Sequence, residues 1–367
     1  MNPDYMRAAL ELARQGLGRT SPNPAVGAVV VRDSQVVGRG FHTYAGVKHA
    51  EVLALEEASA QARGATLCVT LEPCAHQGRT PPCVEAILAA GVARVVAALE
   101  DPNPLVAGAG FRRLREAGIA VELAAEFASE AQKLNAAYVH FMRTGRPLVT
   151  LKAALTLDGK IAAPEDNVGW ITSERARAHV HEMRHLSDAI LTGIGTVLAD
   201  DCLLTDRTGL ERSRPLLRIV LDSQLRLPVA SRLVAGASDD LVVVGTSAAP
   251  PERRRALEQR GVTVLLLDGP GGRTDLHGLL AHLAEQRHLS LMIEAGSKVN
   301  WAVLEAGIVD RVFFYYAPKI LGGLQSLPVA GGAGRRSRRE AILFRHVTLH
   351  PIPPDEFAVE AYLVKET

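Results

Sequence analysis

Four side chains in the first quarter of the sequence have the types and spacing of a catalytic metal centre. His49-Ala50-Glu51 is followed by Pro73-Cys74, and a second cysteine, Cys83, arrives after a longer loop. One imidazole and two thiolates suit zinc, and three ligands leave its fourth tetrahedral position to water. Zinc draws the pKa of such a water down to about 7. Glu51, two residues past His49, is turned from it by roughly 200° on a helix. That spacing suits a carboxylate standing beside the water better than one bound to the metal. Moving protons from water to a departing amine is the task of the Glu in the H-x-E and P-C-x-x-C pattern, and it is worth ~10²–10⁴-fold in rate. The delayed Cys83 departs from the short-spaced form of that pattern. A purely structural zinc would want a fourth protein ligand and would have no use for Glu51. His76, the spare donor, is read as a pocket residue.

These side chains need elements to position them. Residues 64–71 (GATLCVTL) read as a buried strand delivering Glu72-Pro73-Cys74 at its carboxyl end, where open α/β sheets place ligands. Thr80 reads as an N-cap and Pro81 as the first helical residue, so Cys83 falls in a first turn whose dipole favours thiolate. Around them the pattern predicts helices at 4–15, from about 49, and at 82–90, 111–117 and 129–142. Strands are expected at 26–31, 36–41, 66–70, 94–99 and 119–123. The alternation predicts a mostly parallel sheet with helices on both faces. One turn repeats: Pro22-Asn23-Pro24-x-Val26-Gly27 returns as Pro102-Asn103-Pro104-x-Val106-Ala107-Gly108. An Asn in a rigid loop can donate to and accept from a pyrimidine edge.

A chain of 367 residues exceeds the usual single domain. The polar stretch 143–146 before Pro147 reads as a hinge. Beyond it, strands are expected at 149–155, 189–193, 217–221, 241–245, 262–266, 291–295 and 311–316. Helices are expected at 174–186, 251–259, 275–286 and 299–306, giving a second α/β domain. Two glycine turns, at Gly193-Ile194-Gly195 and at Glu294-Ala295-Gly296, precede helices whose N-termini suit phosphate. The third glycine of the dinucleotide fingerprint is missing. The basic run 334–339 reads as a solvated loop. A net charge of +1 and an aromatic fraction of 4% argue against a stacking, nucleic-acid-binding groove. Four cysteines are too few for a disulfide framework, no signal-like segment opens the chain, and no apolar run reaches the ~20 residues of a membrane span. A cytoplasmic, non-membrane protein is expected.

PNPAVGAVVV, HAEVLAL, VTLEPCAHQGRTPPC and ARVVAALEDPNPLVAGAG resemble the deaminase half of the bifunctional riboflavin-biosynthesis deaminase/reductase family. LKAALTLDGKIA, GWITSERAR, MRHLSDAILTGIGTVLADDCLLTDR, IVLDSQLRLP, and IEAG with YYAPKILGG resemble its reductase half. The resemblance implies an α/β protein with a cytidine-deaminase-like three-layer domain at 1–145 and a dihydrofolate-reductase-like domain at 146–367. It implies zinc on His49, Cys74 and Cys83, proton transfer by Glu51, and a substrate contact from Asn23. It implies NADPH along Ala154, Trp170, Thr196, Asp200, Ser223, Gly296, Ser297, Lys298, Val299 and Asn300. Arg184, Leu204, Arg207 and Glu294 would meet a phosphorylated substrate, with Lys152 as a charge or proton partner. The implied substrate is a free phosphoribosyl-pyrimidine, deaminated first and then reduced at the ribose, and members of the family often assemble as homo-oligomers. Two departures stand out: Asp166-Asn167-Val168-Gly169-Trp170 has Val168 where the pattern has a substrate-contacting Ser, and Asp200-Asp201 is followed by Cys202, read as packing. A nucleic-acid deaminase with an RNA-positioning second domain, and a non-enzymatic zinc-stabilised binding module, are the alternatives.

Overall fold

The computed structural model describes residues 2–364 except Arg79, Leu105, Asp166 and Asn167. Arg79 of the GRTPPC element and the first two residues of the 166–170 departure therefore lie outside the described residues. The chain divides into two compact units. The first runs to Gly145 and includes Glu211–Arg214, and the second holds Arg146–Leu210 and the chain from Pro215 onward.

The first unit runs α1 (Pro3–Gln15), β1 (Gly27–Arg32), β2 (Gln35–Phe41), α2 (Ala50–Ala58), β3 (Thr66–Val69), α3 (Cys83–Ala90), β4 (Arg94–Ala97), α4 (Ala109–Glu116), β5 (Ala120–Leu123), α5 (Ala128–Leu134) and α6 (Ala136–Thr144). Its sheet has the order β2-β1-β3-β4-β5. Only β3, β4 and β5 are parallel, whereas β1 pairs antiparallel with both β2 and β3. The expectation of a mostly parallel sheet is thus half right. The reason is the turn after β1: Asp33 and Ser34 both have positive φ, the two-residue geometry that folds a tight hairpin. Antiparallel pairing sets the start of β1 beside the end of β3, so the loops before β1 and after β3 and β4 share one edge.

Helices cover both faces. Met6, Ala9 and Leu10 of α1 pack with Val29, Val31, Cys68 and Val96, joined by Phe127 and Ala131. Helix α2 lies on the opposite face, against β2, and packs beside α3. Its approach is so close that a Cβ at Gly40 would sit 2.2 Å from the Ala50 carbonyl, and one at Gly38 would sit 2.1 Å from that of Ala54. The long helix expected at 129–142 is instead two, broken at Asn135, whose φ of −106° and ψ of 28° leave the helical region. The buried Asn135 side chain bonds Ala25 instead, accepting from its N–H at 2.8 Å and donating to its carbonyl at 2.9 Å. Thr80 does not cap α3: the N-cap position is Pro82, and Cys83 is the first helical residue.

The second unit runs β6 (Leu148–Thr156), β7 (Lys160–Ala162), α7 (Glu174–His185), β8 (Ala189–Gly193), α8 (Ile194–Asp200), β9 (Leu217–Leu221), α9 (Arg232–Ala235), β10 (Leu241–Gly245), α10 (Pro251–Glu258), β11 (Thr263–Leu266), α11 (Leu276–Glu285), β12 (Ser290–Ile293), α12 (Ser297–Glu305), β13 (Arg311–Ala317), β14 (Leu327–Pro328), β15 (Phe344–Ile352) and β16 (Glu356–Leu363). The large sheet has the order β11-β10-β9-β8-β12-β6-β13-β16-β15. Its first seven strands are parallel, and β16 and β15 close it as an antiparallel pair. That pair, the small β7/β14 sheet and α9 are absent from the sequence reading. β15 explains its own omission, because five consecutive residues after Phe344 are exposed and no alternation marks a buried face. The basic run 334–339 is exposed, as expected, with the Arg335 guanidinium 5.7 Å from the Trp301 ring. Among the described residues no helix is long and apolar enough to cross a membrane.

The contact of α2 with β2 yields a stability prediction. Gly40→Ala should destabilise the first unit by about 2 kcal/mol, the range of overpacked cores, measured as a lower midpoint in denaturant unfolding.

Candidate functional site

His49, Cys74 and Cys83 come from three different places. His49 is the N-cap of α2 in extended backbone, Cys74 follows β3, and Cys83 opens α3. Their ligand atoms lie within 4.8 Å of one another. His49 Nδ1 is 3.0 Å from Cys83 Sγ and 3.5 Å from Cys74 Sγ, and the Cys83 N–H donates to Cys74 Sγ at 3.3 Å. Zinc bonds of about 2.0 Å to nitrogen and 2.3 Å to sulfur put tetrahedral ligand atoms roughly 3.5 to 3.8 Å apart. The triad fits such an ion. Among the described residues no fourth metal-binding side chain joins it, His76 included.

The electrostatics of the triad agree. The hydrogen bond from Cys83 lowers the Cys74 thiol to about 4 despite burial, and the His49 imidazole helps. His49 in turn is raised, first by its bond to Cys74, and Cys83 is pushed up by the same pairing and by burial. Metal binding at such a site displaces protons from its ligands. Glu51 is buried in the first turn of α2 beside this cluster. Burial foremost, then the charge of Cys74, raises its carboxyl to about 7, and it reaches the Cys83 sulfur. A carboxyl that exchanges its proton near neutral pH is suited to general acid and base work.

Asn23 stands at the same edge, in the loop before β1. The sequence reading missed its partner, the buried His42. His42 Nδ1 lies 3.0 Å from the Lys48 carbonyl, so it must carry the proton. Nε2 then accepts from Asn23 Nδ2 at 3.1 Å. This polarity leaves the Asn23 carbonyl oxygen as the acceptor for a ligand. A lone His after a strand carries no spacing signal, and only its contact with Asn23 and its ring, 5.2 Å from that of His49, mark it.

In the second unit, the candidate cofactor residues gather at the carboxyl edge of four adjacent parallel strands. Ser223 follows β9, Thr196 follows β8, Gly296 to Asn300 follow β12, and Ala154 lies on β6. A Cβ on Gly296 would come within 3.7 Å of Thr196 Oγ1, while one on Gly195 would meet open space. Helix α12 starts at Ser297 with Gly296 as N-cap and no side-chain cap; the Val299 N–H donates to the Gly296 carbonyl, and the Ser297 and Lys298 amides are the ones at hand for an anion. Asn300 Oδ1 and Thr192 Oγ1 are buried without a hydrogen-bond partner. A cradle of this kind fits a dinucleotide. The remaining members of the set sit further out: Lys298, Asp200 and Trp170 are exposed, and Val299 is half-buried. The Arg177 guanidinium lies 4.8 Å from the Trp170 ring.

Glu294, just past β12, is gripped by two cations. Arg184 Nε and Nη2 donate to its two oxygens at 2.6 and 3.0 Å, and Lys152 Nζ donates at 3.1 Å. Burial alone would raise this carboxyl, but Lys152 and Arg184 outweigh it and hold it at about 2. Arg184 Nη1 also donates to the Thr205 carbonyl, tying down the loop that carries Leu204 and Arg207. Both of those residues have a φ of 55°, a left-handed backbone that is costly for side chains this size and characteristic of functional loops. Leu204 is buried and Arg207 is exposed. Val168 is 94% exposed, and Cys202 packs on the Val220 and Val243 side of the sheet.

A His/Cys/Cys centre with a buried glutamate, joined to an α/β domain with a dinucleotide-type cradle, defines a deaminase fused to a reductase. Residues 2–99 match the cytidine and deoxycytidylate deaminase zinc-binding region, and residues 147–354 match the RibD C-terminal domain. The chain belongs to the RibD family of riboflavin biosynthesis proteins. The Escherichia coli RibD is 42% identical over 366 residues, 96% of each chain, and the Bacillus amyloliquefaciens RibD is 41% identical over 355 residues, 97% of this chain and 95% of its own. The solved structure of Acinetobacter baumannii RibD aligns with a TM-score of 0.88 at 38% identity, covering 99% of this chain and 98% of its own. A Thermotoga maritima structure, described as a diaminohydroxyphosphoribosylaminopyrimidine deaminase/5-amino-6-(5-phosphoribosylamino)uracil reductase, aligns with a TM-score of 0.85 at 37% identity over 98% of both chains. The fold is the expected one, a cytidine-deaminase-like domain followed by a dihydrofolate-reductase-like domain.

The Glu294 cluster makes stability depend on acid. Its carboxyl titrates at about 2 when folded and 4.5 ordinarily, so between those values the unfolded chain holds more protons. The stabilisation is complete above pH 4.5 and is lost as pH falls through 2, about 3 kcal/mol in all from 1.36 kcal/mol per pKa unit. Denaturant unfolding across that window should show the slope, and Glu294→Gln should flatten it.

Proposed function

We propose that residues 1–145 form a zinc-dependent deaminase domain and residues 146–367 an NADPH-dependent reductase domain, which act in succession. The substrate is 2,5-diamino-6-(5-phosphoribosylamino)pyrimidin-4-one, which loses one ring amine as ammonia to give 5-amino-6-(5-phosphoribosylamino)uracil. The ribosyl group of that product is then reduced to a ribityl chain. The observation that carries this reading is the buried Glu51 carboxyl set against three converging zinc-type donors. Zinc on His49, Cys74 and Cys83 supplies Lewis-acid activation of water at neutral pH.

The chain's own residues do the rest. Glu51 takes the proton that water loses as it adds to the amine-bearing ring carbon and returns it to the departing amine, which its raised pKa allows. Asn23, locked by His42, offers its carbonyl oxygen to an N–H donor on the pyrimidine and so fixes the ring. In the second domain, NADPH along Ala154, Thr196, Ser223 and the Gly296–Asn300 turn supplies the reducing equivalent. Glu294 stays ionised and accepts from sugar hydroxyls, Lys152 is held where it can give a proton to the opening ribose, and Arg207 receives the phosphate. We further read the protein as cytoplasmic, since no disulfide joins its four cysteines, and as self-associating, with Val347 and Leu349 of edge strand β15 exposed.

Two measurements test this. Glu51→Gln should retain zinc and fold, lose deamination by ~10²–10⁴-fold or more, and leave the isolated reduction untouched; deamination near the wild-type rate would sink the mechanism. NADPH oxidation should proceed with the deaminated substrate in the wild-type chain, and folded protein without turnover would refute the reductase assignment.

A further inference from the structure

Glu72 lies between β3 and Cys74, buried, and its carboxylate bonds go to backbone N–H groups away from the zinc-type donors. A buried carboxylate is costly unless its oxygens are bonded. Those of Glu72 accept three backbone N–H groups: Asp101 at 3.1 Å and Gly108 at 3.0 Å on Oε2, and Phe111 at 3.2 Å on Oε1. All three donors belong to one stretch, the connection from β4 into the first turn of α4. The N-cap of α4 is Gly108, which has no side chain to do that work, so Glu72 caps the helix from 36 residues away.

The fit extends to the backbone. The Glu72 N–H donates to the Leu99 carbonyl at 2.8 Å. A Cβ on Gly110 would lie 2.0 Å from the Pro73 carbonyl and 3.1 Å from Glu72 Oε1. The loop held this way contains the second Pro-Asn-Pro turn. Within it, Asp101 accepts from the Asn103 N–H at 2.9 Å and from the Tyr138 hydroxyl at 3.2 Å. Tyr138 lies one helical turn beyond Asn135, which holds the loop of the first Pro-Asn-Pro turn. Because β3 and β4 are parallel neighbours, the loops after them share the edge where Cys74 sits.

We propose that Glu72 is a positioning residue for deamination: without meeting the substrate, it sets the distance between the Cys74 segment and the second Pro-Asn-Pro loop, and thereby the width of the pyrimidine pocket. The proposal rests on the deaminase reading above. Gln in its place would turn an NH₂ group toward N–H donors and lose at least one bond, releasing the loop.

The test is steady-state deamination by the wild-type chain, Glu72→Gln and Tyr138→Phe, with bound zinc and the reduction rate measured on each. Glu72→Gln should keep zinc and reduction, raise KM about tenfold or more, and change kcat by less than about threefold. Tyr138→Phe, which withdraws one hydroxyl from Asp101 in an otherwise unchanged core, should raise KM in the same direction by a smaller factor. Unaltered KM in both variants, or a loss of kcat that only follows loss of zinc, would overturn the proposal. If Glu72→Gln fails to fold, Tyr138→Phe decides alone. A zinc-loaded wild-type chain that does not deaminate would instead overturn the deaminase reading.

Discussion

The backbone-to-backbone contact of helix α2 on strand β2 is the constraint on which the first domain's chemistry depends. Cys74 and Cys83 are tied to each other by main-chain bonds, since the Cys83 N–H reaches Cys74 Sγ and the Val84 N–H reaches the Cys74 carbonyl. His49 and Glu51 reach the cysteines through their side chains. They are carried by α2, and where that helix lies decides whether they meet the cysteines. Gly38 and Gly40 remove the side chains that would hold the helix away, so the hydrophobic packing of Ala54 and Ala58 also fixes the reach of an imidazole and a carboxylate.

Much of this was legible in the chain, and the reasons differ by residue. His49, Glu51, Cys74 and Cys83 announce themselves because zinc chemistry tolerates few residue types at few spacings. The strand at 189–193 was placed to the residue because its apolar run is buried on both faces and bounded by turns. The break at Asn135 was hidden because local propensity favours a continuous helix, and what wins is a pair of bonds to Ala25, 110 positions away. His42 was hidden for a related reason: its task is set by the Lys48 carbonyl and by Asn23, which are brought to it by the hairpin. The antiparallel entry of β1 follows from positive φ at Asp33 and Ser34, where no glycine advertises the turn.

The two departures from the family pattern sit in different surroundings. Val168 is exposed. Cys202 lies against the apolar side of the sheet, where burial raises its thiol to about 11 and keeps it un-ionised, a small hydrophobe in effect.

Two buried glutamates show how one architecture serves two chemistries. Both lie at the carboxyl end of a sheet, and burial pushes both carboxyls toward the neutral form. Beside Glu51 stands the negative charge of Cys74, which adds to burial and brings the proton within exchange near neutral pH. Beside Glu294 stand Lys152 and Arg184, which overcome burial and keep the carboxyl ionised down to about pH 2. A group that must take and return a proton needs the first environment. A group that holds a lysine and only accepts needs the second. Exchanging the neighbours would exchange the ionisation states, so what each carboxylate can do is set by the charges beside it as much as by the carboxylate itself.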